Sequence, residues 1–517
     1  MENWKPKYPP LLIALSVTLA TFMEILDTSI ANVSLPHIAG NLSSSIEESN
    51  WVLTAYLISN AIVLPLSGWL SSLIGRKRFY MMSVTLFTLS SLLCGLAPNL
   101  TALIFFRILQ GIGGGGLQPS EQAILVDTFP QEKRGMGMAI YGMAVVTAPI
   151  IGPTLGGLIT DNFNWRWIFL INIPVGIISL FLTQKMIEDP PYLRRIKIKD
   201  FKMDYWGLIL ITLGLGSLQY VLEKGERLDW FNSHSILIFS LIAIVGLASA
   251  VSWELRQKEP IVDLRLLKER NFMISTFFMF MLGFVLYAST VLLPYFLQVL
   301  LGYTATLAGM VISPGGILTM LLMPVVGILL SKVQARWLVL LGFVLVSLGL
   351  LDMAHYNLSI DFATAVHSRM IQAAGLSFLF VPINAMAFAF VPKEKSNNAT
   401  GIINLFRNTG GSMGIAFGAT LLARRAQFHQ SQLVENLSPY SLAFNEKLHG
   451  IQQFLNSHLG LLSQKAGEQL FYQELMRQSS LMAFLDVFYV LGWAFLCLCP
   501  LVFLLKKTKL GGEVVIH

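Results

Sequence analysis

Arg107-Ile-Leu-Gln110 returns as Arg369-Met-Ile-Gln372, 262 residues further along the chain. Pro130-Gln-Glu-Lys133 returns as Pro392-Lys-Glu-Lys395 at the same shift, Gly152 pairs with Gly414, and Pro65-Leu-Ser-Gly68 pairs with Pro324-Val-Val-Gly327 at 259. A near-constant offset across four elements indicates an internal duplication. The echoes sit in or beside long apolar runs. A helix crossing ~30 Å of hydrocarbon needs ~20 residues, and fourteen runs qualify: 11–34, 50–70, 79–97, 101–124, 136–159, 167–186, 205–222, 234–254, 271–295, 305–330, 336–353, 362–390, 402–424 and 481–505. The echoed elements fall in spans 2, 4 and 5 and again in spans 10, 12 and 13. Spans 1–6 therefore match 9–14, with 7 and 8 inserted between them. An even number of spans precedes each half, so the repeat is parallel.

The composition agrees with lipid as the main solvent. Of 517 residues, 54% are hydrophobic and 13% charged, about half the ~25% charged content of soluble proteins. Mean hydropathy is +0.64. With both termini placed in the cytoplasm, 25 Lys and Arg fall inward, 8 outward, and Arg107, Arg369 and Arg407 lie inside spans. That bias follows the positive-inside rule and assigns the net charge of +7 to a membrane surface, not to nucleic acid. Cys94, Cys497 and Cys499 all lie in apolar runs, which suits packing and not a disulfide framework. No His/Cys cluster has metal spacing, and no Gly-x-x-x-x-Gly-Lys-Ser/Thr loop offers ATP a site. The expected division is residues 1–190 as a six-helix bundle, 191–260 as two inserted helices with linkers, and 261–517 as a second six-helix bundle. The second bundle carries a polar cap over about 425–480.

The expected fold class is thus an all-α membrane protein of fourteen transmembrane helices with the major facilitator fold. Two parallel six-helix halves rocking about a midplane site describe that architecture. The motifs carry the resemblance further. Leu26-Asp27-Thr28-Ser29-Ile30-Ala31-Asn32-Val33, Gly68-Trp-Leu-Ser-Ser-Leu-Ile-Gly75-Arg76-Lys77-Arg78, Arg107-Ile-Leu-Gln-Gly111, Ala148-Pro149-Ile-Ile-Gly152-Pro153-Thr-Leu-Gly156-Gly157 and Trp165-Arg-Trp-Ile-Phe169 through Asn172-Ile-Pro174 stand in spans 1 to 6 or the loops between them. Together they resemble the fourteen-span drug:proton antiporters of the major facilitator superfamily, EmrB type. The resemblance implies a bacterial inner-membrane protein, possession of a periplasmic adaptor and outer-membrane channel as partners, and an antiporter role for the span 5 motif. One position departs: Ser72 stands where superfamily members commonly have Asp. The cytoplasmic latch must then rely on Arg76, Lys77 and helix ends, or be weaker.

Charges inside hydrocarbon cost at least ~2.5–3.5 kcal/mol each on insertion scales, so those present are candidates for function. Glu24, Asp27, Arg107 and Glu121 lie deep in the first half. At 1.5 Å per residue, Asp27 and Arg107 each sit ~9 Å below the outer surface, and the resemblance makes spans 1 and 4 neighbours. Asp27 is expected as main proton carrier, tuned by Arg107, with Glu24 second and Glu121 third. The bland alternative is a static ion pair pinning spans 1 and 4. Tyr287, Phe284, Gln110, Arg369, Gln372, Asn404 and Arg407 are expected to line a substrate cavity. Arg407 serves equally well as a cap on helix ends near Gly410. Ser289 stands near the duplicated place of Asp27, which confines the proton site to the first half. Gly152, Pro153, Gly156, Gly157, Gly68, Gly75 and Arg76 are expected at gates, with tight helix packing as the plain alternative.

The expected function is proton-coupled efflux of hydrophobic drugs and toxic compounds by alternating access, with no cofactor, metal or enzymatic activity. The runner-up is export of one specific metabolite, siderophore or lipid-like compound. A passive channel predicts no proton dependence, and an intramembrane enzyme needs more than Glu24 and Asp27 for its chemistry.

Overall fold

A computed structural model of the chain describes residues 6–130, 133–190, 204–258, 260–435, 437, 442–459 and 463–506. The linker expected around 191–203 lies outside the described residues, as do the side chains of Ile451, Phe454, Leu455, His458 and Leu459 in the cap. In the first half, α1 (Pro10–Asn41) and α2 (Ile46–Ser49) precede α3 (Trp51–Ile74), α4 (Arg76–Gly95), α5 (Leu100–Gly114), α6 (Leu117–Thr128), α7 (Arg134–Asn162), α8 (Trp167–Leu170) and α9 (Asn172–Met186). The insertion is the pair α10 (Tyr205–Lys224) and α11 (His234–Glu254). In the second half come α12 (Arg270–Val299), α13 (Ala305–Leu329), α14 (Ala335–Met353), α15 (Phe362–Ala387), α16 (Ser396–Glu435), α17 (Leu442–Leu459) and α18 (Ser463–Leu496).

A helix covers each of the fourteen expected spans, and among the described residues twelve are long and apolar enough to cross a membrane. The two that fall short of that measure are α4 and α16. Their polarity is local and has a use: α4 opens on Arg76-Lys77-Arg78, and α16 carries Asn397, Asn398, Asn404, Arg407 and Asn408. Span 4 is split in two where Gly115 and Gly116 interrupt it, giving α5 and α6. Gly116 is followed by a helix that returns Gln118, Glu121 and Gln122 to the interior.

Duplication is visible in the packing. α1 packs on α7 and α9, α3 on α5, and α4 on α5 and α9; correspondingly α12 packs on α16 and α18, α13 on α15, and α14 on α15 and α18. The halves meet through α7 with α13 and α3 with α16, which the repeat exchanges for one another. Gln122 and Asn384, 262 residues apart, join across this interface at 2.8 Å.

The inserted helices straddle it too. α10 and α11 approach closely at Gly214 and Gly246, where a β-carbon on Gly246 would lie 3.0 Å from the Gly214 Cα. Tyr220 of α10 stacks on Trp51 of α3 at 6.1 Å, while Gln219 donates to Ser412 of α16 at 3.0 Å. Beyond α10, the Trp230 indole donates to Thr420 at 2.9 Å and Arg424 pairs with Asp229 at 2.8 Å. The cap region is helical where described: α16 and α18 extend through it, Phe444 packs on Phe471 at 5.1 Å, and Arg477 donates to the Leu300 carbonyl at 2.8 Å. All three cysteines are free.

Candidate functional site

A buried charge persists only when hydrogen bonds or an opposite charge replace its water. The first half meets that demand for Asp27. Arg107 Nη1 donates to its Oδ2 at 2.5 Å, and Gln110 and Asn172 donate to its Oδ1 at 3.1 and 2.7 Å. Arg107 is held in turn by the Val52 carbonyl and by the Tyr56 ring, 4.2 Å from its guanidinium carbon. Both side chains of the pair are fully buried. Spans 1 and 4 meet here, through partners that all belong to the first half.

Glu24, one helical turn deeper, has a different setting. Its Oε1 accepts from Tyr56 at 2.9 Å and Asn60 at 3.2 Å, and its Oε2 accepts from Gln118 at 2.6 Å. The other end of Gln118 is taken by Arg407, a second-half residue, whose Nη1 also donates to Tyr141 at 2.8 Å. Tyr141 donates to Asn404, and Asn404 to Gln122, at 2.9 and 2.6 Å. Glu24 is thus the head of a hydrogen-bonded chain that crosses from one half to the other. Arg407 is part of this crossing; it does not cap a helix end near Gly410. Glu121 lies deeper again, with Oε1 accepting from Thr18 at 2.5 Å and Oε2 buried without a partner. Asp27, Glu24 and the Thr18 that holds Glu121 descend one helix, so the three acids form a ladder beside α1.

In the second half, Arg369 donates to Ser289 at 3.1 Å and to Gln372 at 2.6 Å. The sequence separation of 80 repeats that of Arg107 and Asp27, so Ser289 does occupy the duplicated place of Asp27. Tyr287 packs against Gly411, and Phe284 packs on Phe417 at 5.5 Å, placing both between α12 and α16. Their aromatic neighbours divide. Phe278 packs into the second half on Phe343, Tyr295 is half exposed, and Phe380 with Met323 crosses to Gly142 of the first half.

The gate candidates separate by position. Toward the face with the basic loops, a β-carbon on Gly68 would lie 2.5 Å from Asn398 Oδ1, and one on Gly327 would lie 3.0 Å from the Gly135 carbonyl. These are duplicated positions, so the two halves close on each other twice at that face. Gly75 takes φ +92 between α3 and α4, a conformation that favours glycine, and this turn aims Arg76 inward. Arg76 donates to the Ala123 carbonyl and to Ser396 of the second half at 3.0 and 3.2 Å, and pairs with Asp127, both side chains buried. The acid beside Arg76 is therefore Asp127, at the end of α6. Ser72 only returns its hydroxyl to the Gly68 carbonyl. Within α7, Gly152 and Gly156 abut Ser29 and Ile30 of α1, with Pro153 between them in an unbroken helix, while Gly157 has nothing within 4 Å.

Sequence reading missed Tyr56, Asn60, Gln118, Gln122, Tyr141 and Asp127 as parts of this machinery. Their signal was faint but present: Tyr56 and Asn60 share a helix face, and Gln118 follows Arg107 by three helical turns. Among the described residues no group of His, Cys, Asp and Glu has the arrangement to hold a metal.

Residues 17–415 match the Major Facilitator Superfamily. The chain is 35% identical to the multidrug export protein EmrB of Escherichia coli (strain K12), across 99% of this chain and 99% of that one. It is 36% identical to the fatty acid resistance protein FarB of Neisseria gonorrhoeae, across 98% and 99%. Its fold is similar to the crystal structure of the human organic anion transporter MFSD10, with a TM-score of 0.59 over 95% of this chain and 100% of that one at 12% identity. With the duplicated halves, the midplane charges and whole-length relatives in agreement, the chain belongs to the major facilitator superfamily, on its EmrB-type branch.

Proposed function

We propose that the protein exports hydrophobic drugs and toxic compounds in exchange for protons, by alternating access. The carrying observation is the chain Glu24–Gln118–Arg407, which ties an acid of the first half to a cation of the second. When Glu24 is ionised, Arg407 and Gln118 are drawn toward it and the halves are held together at midplane. When it takes a proton, that pull weakens and the halves are free to rock. Asp27 and Glu121 extend the route above and below, giving a proton entering from outside successive acceptors along α1. Each inward proton gains ~2.3 kcal/mol per 100 mV and ~1.4 per pH unit. One or two protons then support gradients of roughly tenfold to several hundredfold.

In this reading all fourteen helices cross the inner membrane with both termini in the cytoplasm, and Arg76, Asp127 and Ser396 form the cytoplasmic latch. Tyr287, Phe284, Asn404 and Arg407 face the compound, with Gln110, Arg369 and Gln372 behind them. The helical cap on α16 to α18 is the surface offered to a periplasmic adaptor. A second reading, export of one lipid-like compound, draws on the relative named for fatty acid resistance.

The test is dye efflux in everted vesicles with and without an uncoupler. Uncoupler-sensitive transport that vanishes in Glu24→Gln supports the reading. Transport indifferent to the uncoupler, or unchanged in Glu24→Gln, overturns it.

A further inference from the structure

Arg107 and Arg369 are both fully buried and occupy duplicated positions, yet among the described residues only Arg107 pairs with an acid. In the first half, Arg107 Nη1 and Gln110 Nε2 converge on the carboxylate of Asp27. In the second, Arg369 donates only to neutral oxygens: Ser289 Oγ at 3.1 Å, Gln372 Oε1 at 2.6 Å and, at the edge of bonding distance, Thr290 Oγ1 at 3.4 Å. Arg369 Nε and Gln372 Nε2 are buried without any partner. Asp352, at the end of α14, is exposed and accepts from Ser368. A guanidinium removed from water without an anion is among the most costly buried groups, and a buried donor left unpaired adds its own desolvation penalty.

We propose that Arg369, Gln372, Ser289 and Thr290 form a binding site for a monovalent anionic group in the second half. The serine carries a hydroxyl where the first half has a carboxylate, so the space exchanged is that of one or two heavy atoms. This suits a halide or a single carboxylate head and not a phosphate ester. Of the two unpartnered groups, Gln372 Nε2 is the counterpart of the Gln110 Nε2 that Asp27 satisfies, whereas the counterpart of Arg369 Nε is taken by the Val52 carbonyl in the first half. The anion has two possible sources, free chloride or the carboxylate of a transported amphiphile, and both present the same chemistry to Arg369. The site rests on its own geometry and does not depend on proton coupling.

The experiment follows thermal unfolding of the purified full chain in detergent, exchanging divalent sulfate for chloride at constant ionic strength. An anion that binds only the folded state raises the melting temperature saturably, by roughly 2–4 °C for a chain this large. Ser289→Asp supplies an internal carboxylate, so its melting temperature should no longer respond to chloride. Gln372→Leu removes one donor and should shift the chloride midpoint about tenfold higher, as expected for one lost charge-assisted hydrogen bond. Decanoate separates the sources: competition with chloride assigns the site to a transported carboxylate, and stabilisation by halides alone assigns it to the free ion. An equal response in the parent and Ser289→Asp, or no response to either anion, overturns the proposal. If Ser289→Asp does not fold, crystals of the parent grown in bromide decide: an anomalous peak beside Arg369 supports the site, and its absence there overturns it.

Discussion

The two halves descend from one repeat and pack their helices in the same pattern, but they handle the same buried arginine in opposite ways. Arg107 meets Asp27 in a pair closed by Gln110, Asn172 and Tyr56. Arg369, 262 residues later, meets Ser289 and Thr290. The first half holds two acids on α1 and a third, Glu121 of α6, beside it, and the second half has none at the duplicated positions. In the proposed function, proton chemistry is the task of one bundle, which leaves the other free to move against it. Arg407 has no duplicated partner, because Val145 stands 262 residues before it. Among the described residues it is the second-half cation whose hydrogen bonds lead, through Gln118, to an acid of the first.

The sharpest way to break this comparison is to remove one member of each arginine pair. Asp27→Ala leaves Arg107 charged and buried without its acid, which costs about 3–5 kcal/mol and should abolish transport; Ser289→Ala removes one neutral acceptor and costs about 1 kcal/mol. Denaturation in detergent with tryptophan fluorescence measures both, and equal losses would dissolve the asymmetry. Next in size is the crossing between halves. Arg407→Gln should cut efflux by roughly 5–150-fold, the range of a 1–3 kcal/mol coupling. Combined with Glu24→Gln it should add little further loss, because the two act through Gln118. Dye efflux from everted vesicles reads both.

Gate positions sharpen the comparison further. Gly68→Val and Gly327→Val each drive a side chain into the opposite half and should cost about 1–3 kcal/mol of the closed arrangement. Thiol labelling of a cysteine placed at Ser396 should rise in both variants. The smallest effect belongs to Gly157→Ala, which meets open space and should change stability by less than ~0.5 kcal/mol. Gly152→Ala, five residues earlier, meets Ser29 and should impair transport, so the pair tests whether α7 acts through its contact with α1.

Much of this was legible in the sequence, because hydrocarbon makes charge and apolar length conspicuous. The spans and the buried charges follow from that contrast, the shift of 262 follows from the repeated motifs, and the pairing of Arg107 with Asp27 needed the resemblance, which makes spans 1 and 4 neighbours. Amides and phenols stand out far less. Gln118 and Tyr141 read as ordinary polar residues on helices, and nothing in their spacing ties them to Arg407 more than 260 residues away. Asp27 stands above Glu24 in the sequence because it has a visible arginine, whereas the direct partners of Glu24 are neutral and come from α3 and α6. Asp127 escaped notice because the resemblance placed the latch acid at position 72, while the contact is made from the end of another helix. The break between α5 and α6 falls at the end of the four consecutive glycines, where neighbouring helices approach too closely for a side chain.

Proton release on substrate binding tests the central claim most directly. A purified sample in weak buffer with a pH indicator receives a hydrophobic drug near neutral pH. Binding that draws Arg407 and Gln118 onto a protonated Glu24 favours its ionised form and should release protons in the parent, and Glu24→Gln should release markedly fewer while still binding the drug. Equal release in both proteins, at equal drug occupancy, would contradict the account.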